Sequence, residues 1–214
     1  DIEFYTDENR SEPSLPLNFL RNQRKKEGES NLCLSDFVMP KDTGKIDYIG
    51  SFFATAGLGV NEWAEKFEKD NDDYSALMLK ILSQRMAEAL TELLHEKARK
   101  ELWGYNPNEN FSPEELLNEK YPGIRPAFGY PSMPDHTQKK PVYEHMKVDQ
   151  YTKIKLSDNF MMIPEASVSG LYIAHPQSRY FNVQKILEDQ LKDYARRAGV
   201  EEATVRRWLS ENLA

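Results

Sequence analysis

Apolar positions recur along this chain in two rhythms. The opening DIEFY reads as a short strand over residues 1–5. Residues 6–30 are polar and loop-like, and their basic run Arg21, Arg24, Lys25 and Lys26 reads as a solvated face. Residues 31–59 (NLCLSDFVMPKDTGKIDYIGSFFATAGLG) are apolar, β-branched and punctuated by glycine, and YIGSFFATAG predicts a buried strand ending in a glycine turn. From Asn61 the period lengthens to that of a helix. NEWAEKFEKDN predicts a short helix, and residues 73–104 predict a long one without internal Gly or Pro. Leu79, Leu82, Met86, Leu90, Leu93 and Leu102 recur along it at spacings of three, four and their multiples, a stripe expected to face the core. Gly104 is placed as its C-cap.

Ser112-Pro113-Glu114-Glu115 opens a further short helix: serine caps, proline takes the first helical position, and glutamate three residues on completes a capping box. RPAFGYPSMPDHTQKK (125–140) follows, a segment expected to be neither helix nor long strand. From His145 to Val183 short apolar runs alternate with Pro and Gly and predict two or three strands, SVSGLYIA being the clearest. ILEDQLKDYARRAG and EEATVRRWLSENL predict two helices divided by Gly199. Helices and strands are segregated, which predicts an α+β fold: a mostly antiparallel twisted sheet, one long helix and a C-terminal helical hairpin, in a single domain over 1–214. The chain begins without Met in what reads as mid-strand, so it is expected to be part of a longer protein.

Composition narrows the function. Net charge is −7 with a pI near 5.3, which argues against non-specific nucleic-acid or anionic-membrane binding. The C-terminal hairpin has the outline of a helix-turn-helix, but its basic and acidic residues balance, so no phosphate footprint is expected and a packed hairpin is the better reading. A single cysteine, Cys33, excludes an intrachain disulfide and a cysteine zinc site and fits a reducing cytosol. No apolar run reaches the ~18 residues of a membrane span.

Catalytic signatures are absent: there is no G-x-S-x-G, H-E-x-x-H, Walker loop or strand-linked G-x-G-x-x-G. The four histidines are scattered, and Asp135 before His136 reads better as a turn-fixing side chain than as half of an acid–base pair. A binding signal remains in the 125–140 segment. Its backbone is stiffened by Pro126, Pro131 and Pro134 and opened by Gly129. The Arg125 guanidinium can grip a carboxylate in two-pronged fashion. Backbone N–H groups at Ala127 and Tyr130 can meet polar ligand edges, and the Tyr130 ring can lie over a planar or cationic group. Chemistry alone leaves open whether this is a ligand loop or a structural loop with Arg125 in an internal ion pair.

The segment RPAFGYPSMPDHT closely resembles the AdoMet-binding signature R-P-A-P-G-Y-P-x-x-P-D/E-H-T of the activation domain of cobalamin-dependent methionine synthases. LSDFVMP, DYIGSFFATAGLG, RMAEALTELLHEKARKELWGY, ASVSGLYIAHPQSRYF and DQLKDYARRAG also resemble family blocks, in the family's order. The resemblance implies a cytoplasmic module that caps the cobalamin-binding module after the cofactor has been oxidised. It implies that AdoMet is presented there as methyl donor while flavodoxin or a flavoprotein reductase supplies an electron, the cobalamin being carried by the partner module. It also implies no catalytic residue and no metal site of the chain's own, since the cofactor carries the hard chemistry.

By the resemblance, Arg125 holds the AdoMet carboxylate, Ala127, Gly129 and Tyr130 line the ligand, and Tyr180 and Phe181 border it. Gln84 and Glu88 on the long helix face the cobalamin module, Glu88 within reach of a released cobalt-ligating histidine. Phe128 stands where the family usually has proline, Gln84 where it often has aspartate, and Glu165 where some members have a small residue. The family domain extends further at its N-terminus, where an aspartate helps to hold the ligand. Losing such a contact typically costs ~2–5 kcal/mol, so weak AdoMet binding is expected of this chain alone. The alternative reading is an interaction module that docks a cobalamin or flavodoxin-like protein without AdoMet.

Overall fold

A computed structural model describes residues 1–24 and 27–214; Lys25 and Lys26 of the basic run lie outside the described residues. In chain order the elements are β1 (Ile2–Tyr5), β2 (Pro13–Leu17), β3 (Gly50–Thr55), α1 (Val60–Lys69), α2 (Asp73–Lys97), α3 (Pro113–Leu117), α4 (Lys139–His145), α5 (Val148–Tyr151), β4 (Lys155–Leu156), β5 (Met162–Ile163), β6 (Ser167–Tyr172), α6 (Glu188–Ala198) and α7 (Glu202–Trp208). The α+β class expected from the sequence is what the fold shows. Its sheet is divided into three two-stranded pieces: β1 with β2 and β4 with β5, both antiparallel, and β3 with β6.

The chain forms two compact units. The first comprises Asp1–Gly50, Pro122–His145 and Leu171–Ala214. Its β1–β2 hairpin places Ile2 opposite Leu17 and Phe4 opposite Leu15, and alternation buries Leu15 and Leu17 on one face. The C-terminal hairpin packs as expected. Leu191, Tyr194 and Ala195 of α6 meet Val205, Leu209, Leu20, Val183 and Ile186 in one buried cluster, with Trp208 against it. Gly199 closes α6 at φ +67°, the left-handed cap that the ARRAG sequence foretells.

The second unit comprises Ser51–Tyr121 and Met146–Gly170. Asp72 caps α2 by accepting from the Ser75 N–H, and α1 packs along α2. The leucine stripe expected to face the core does not. Leu82, Met86, Leu93 and Leu102 are 55%, 62%, 49% and 76% exposed, while Leu79 and Leu90 are half-buried. The buried face of α2 is Ala76, Ser83, Ala87, Thr91 and His95, and α1 turns Ala64 inward. Small side chains let two helices approach closely. Ser83 and Thr91 return their hydroxyls to the carbonyls of Lys80 and Glu88, so they are buried without an unmet donor. Reading for large apolar residues misses such a face.

Helix α2 ends in one π-turn over Ala98–Leu102, and Gly104 follows at φ +75°. The widened turn carries Arg99, 1% exposed, into a two-pronged ion pair with Glu109 at 2.7 and 2.7 Å. Asn106 donates to the same carboxylate, and the guanidinium lies 4.0 Å from the Tyr121 ring centroid. His95 packs edge-on to Tyr121 and reaches the Tyr105 hydroxyl at 3.2 Å. A fully desolvated pair of this kind is costly to break from one side. Glu109→Ala is expected to destabilise the protein by about 3–5 kcal/mol. A urea unfolding midpoint lowered accordingly checks this; an unchanged midpoint would contradict it.

Candidate functional site

The proline-rich segment lies in the first unit and is shorter than the sequence suggests. It is irregular from Arg125 to Asp135, but His136–Gln138 is a 3-10 turn that runs into α4. Asp135 is the cause: its buried carboxylate accepts from the Thr137 N–H at 2.8 Å and caps the turn. Pro141 falls in the first turn of α4, where a missing N–H is tolerated.

Backbone pairing anchors the start of the loop. Ile124 and Ile173 exchange hydrogen bonds of 2.9 and 3.0 Å, and Leu171 donates to the Pro126 carbonyl at 3.0 Å. Beyond this anchor the loop folds on itself. Tyr130 N–H donates to the Ala127 carbonyl at 3.2 Å, Gly129 N–H to the Met133 carbonyl at 2.8 Å, and Met133 N–H to the Tyr130 carbonyl at 2.8 Å. The Tyr130 N–H, expected to be offered to a ligand, is therefore committed to the turn. Gly129 has φ +89°, and a Cβ there would lie 2.0 Å from His136 Cε1, so both conformation and space require glycine.

A second segment, Tyr180–Val183, is fastened to this loop by four hydrogen bonds. Arg125 N–H donates to the Tyr180 hydroxyl at 3.0 Å. Ser132 Oγ donates to the Phe181 carbonyl at 2.5 Å and accepts from the Phe181 N–H at 3.2 Å. Val183 N–H donates to the Pro131 carbonyl at 2.9 Å. Fifty residues apart in sequence, Arg125 and Tyr130 are thus brought together with Tyr180 and Phe181. Tyr130 is 52% and Tyr180 36% exposed, so two aromatic rings stand at the surface on a backbone that is tied down. The arrangement brings Arg125, two accessible rings and the bare backbone of Gly129 together, while Asp135 is occupied by the turn and by the Tyr194 hydroxyl, whose ionisation burial pushes far up.

The model of the family "Vitamin B12 dependent methionine synthase, activation domain" matches residues 1–199. The chain belongs to this family. Among solved structures it is similar to a MetH reactivation domain crystallised bound to AdoHcy, with 50% identity and a TM-score of 0.96. The similarity covers 99% of this chain and 65% of that one, so the chain spans about two thirds of the length of that relative.

In this activation-domain chain Gln84 and Glu88 lie apart in sequence from the loop, one helical turn from each other on α2 of the second unit, both exposed. Gln84 borders a small hollow with Gly57, Lys80, Pro164 and Glu165. Leu77 and Ile81 stand on the same flank at spacings of three and four, 57% and 40% exposed. Sequence reasoning overlooked Ser132, which binds both polar backbone groups of Phe181, and overlooked the buried Tyr194 anchor. A lone serine among prolines carries no periodic signal, and its partner is 49 residues away. Ser132→Ala strips both backbone groups of Phe181 of their partner and is expected to cost about 1–3 kcal/mol. Chemical denaturation reads this loss; stability unchanged within error would show that the two segments do not depend on the clip.

Proposed function

We propose that this chain is the AdoMet-presenting part of a methionine synthase reactivation module. The observation that carries the reading is the clip that joins the Arg125–Met133 loop to Tyr180–Val183, because it places an arginine and two exposed aromatic rings on one immobilised surface. That set suits a ligand with a carboxylate, a sulfonium and a flat base. Arg125 would hold the carboxylate in two-pronged fashion, Tyr130, Tyr180 and Phe181 would border the cationic and aromatic parts, and Ala127 and Gly129 would give room for close approach. The relative crystallised with AdoHcy, half identical over nearly the whole of this chain, supports the assignment. AdoMet supplies an activated methyl group, and the chain's own contribution is to bind and orient it for the cobalamin of a partner module.

Gln84, Glu88 and the neighbouring exposed Leu77 and Ile81 are the face we assign to that cobalamin module, and Glu88 would accept a hydrogen bond from a histidine the cobalt has released. A flavodoxin or flavoprotein reductase would deliver the electron. No group of three or more His, Cys, Asp or Glu that could hold a metal ion occurs among the described residues. No helix among them is long and apolar enough to cross a membrane.

Isothermal titration with AdoMet and AdoHcy tests the reading. Binding is expected, and Arg125→Ala is expected to weaken it by about 2–5 kcal/mol with the fold intact. Equal affinity in the variant would remove Arg125 from the site. No heat with a folded chain, also when it is extended at its N-terminus, would favour the docking module without AdoMet. Glu88→Ala is expected to weaken association with an isolated cobalamin module at least several-fold while leaving AdoMet affinity unchanged; unaltered association would remove α2 from that interface.

A further inference from the structure

Gly129 is the point at which the loop turns, and the His136 side chain stands behind it. A Cβ on Gly129 would lie 2.0, 2.4 and 2.7 Å from Cε1, Nε2 and Nδ1 of His136, so the whole imidazole is packed against the bare backbone of the turn. The ring is itself held. Lys139, one helical turn further on and only 2% exposed, brings Nζ to 3.4 Å from His136 Nδ1. Asp135, just before His136, is anchored to Thr137 N–H and to the Tyr194 hydroxyl of α6. The ligand loop, the imidazole, a buried ammonium and the core of the C-terminal hairpin therefore form one continuous stack within the first unit.

We propose that His136 is the positioning residue of the AdoMet loop: its imidazole, steadied by Lys139, is the wall against which the Gly129 turn takes its ligand-ready shape. The inference rests on the functional reading above for the name of the ligand, but the coupling of ring to turn stands independently of it. His136 does not touch the ligand; it acts through Gly129.

The stack makes a specific pH behaviour follow. With Lys139 protonated, its N–H faces Nδ1, which must then carry a lone pair, so the imidazole is neutral with its proton on Nε2. Burial, and next the Lys139 charge, hold the His136 pKa below the usual imidazole value, against the weaker opposing pull of Asp135 and Glu211. Burial also brings Lys139 down to about 8. The sign for His136 is that of a base charged less readily in the folded state than in the unfolded one. Its contribution is intact above the ordinary imidazole range and is lost as the pH falls through that range toward the depressed folded value. Protonation would place a second cation against Lys139 and swing the ring off Gly129.

The test is a pH titration followed by NMR on the whole chain, reading the His136 Cε1–H and the Gly129 amide, with AdoMet affinity measured in parallel. The two resonances are expected to share one midpoint below 6.5. Lys139→Met is expected to raise that midpoint, because a cation has been removed, and His136→Gln is expected to abolish the titration of the Gly129 amide. AdoMet affinity should fall below the same midpoint in the wild type and at correspondingly higher pH in Lys139→Met. A packing role alone would lower affinity equally at every pH. A Gly129 amide that does not follow His136, or a midpoint that Lys139→Met leaves in place or lowers, overturns the inference; should Lys139→Met not fold, Lys139→Gln takes its place. Linked titration with no AdoMet binding at any pH would leave the positioning role standing and refute the functional reading instead.

Discussion

Prolines stiffen a loop but do not say where it points; here that is decided by the hydrogen bonds between Ser132 and Phe181 and between Arg125 and the Tyr180 hydroxyl. Through them a short turn, closed by its own backbone hydrogen bonds, is tied to a second segment that brings its own aromatic rings. The same loop is fixed underneath by Asp135, whose carboxylate joins it to Tyr194 and so to the core of the α6–α7 hairpin. Everything the surface offers to a ligand depends on this tie: a guanidinium is selective for a carboxylate only when its backbone and its aromatic neighbours are fixed relative to one another.

The chain divides its labour between the surface and the layer beneath it. Asp135 and His136, the pair that invited an acid–base reading, are both turned inward, one capping a turn and the other backing Gly129. Of the residues proposed to bind, Tyr130 and Tyr180 are exposed, whereas Asp135 and Lys139 behind them are buried. The second unit shows a parallel economy. Its buried Arg99–Glu109 pair and π-turn lock the end of α2 internally, while the exposed flank of that helix keeps Gln84, Glu88, Leu77 and Ile81 at the surface.

Much of this was legible in the residues. The capping box at Ser112, the left-handed caps at Gly104 and Gly199, the strand at β6 and the helical hairpin all rest on local chemistry and occur where that chemistry places them. The signature RPAFGYPSMPDHT pointed to the loop, and the blocks around it to the family. What could not be read was non-local. Spacing shows that the leucines of α2 share a stripe, but not which stripe is buried, and the small face at Ala76, Ala87 and Thr91 is the one turned inward. The mostly antiparallel sheet expected of the chain is cut into pairs, and Lys139 and Lys140, read as the end of the irregular segment, open helix α4 because Asp135 caps the turn before it. The commitment of the Tyr130 N–H to Ala127, and the role of Ser132, follow from a tertiary turn that no spacing rule encodes.

The central claim is that the clipped pair of segments is a single AdoMet surface. Titration of AdoMet into isotopically labelled chain, followed by amide chemical shifts, tests it most directly. Ala127–Met133 and Tyr180–Val183 should shift together along one saturating curve while the amides of α2 stay in place. Shifts confined to α2 or scattered over the chain, or a saturating response that leaves both segments unmoved, would contradict it.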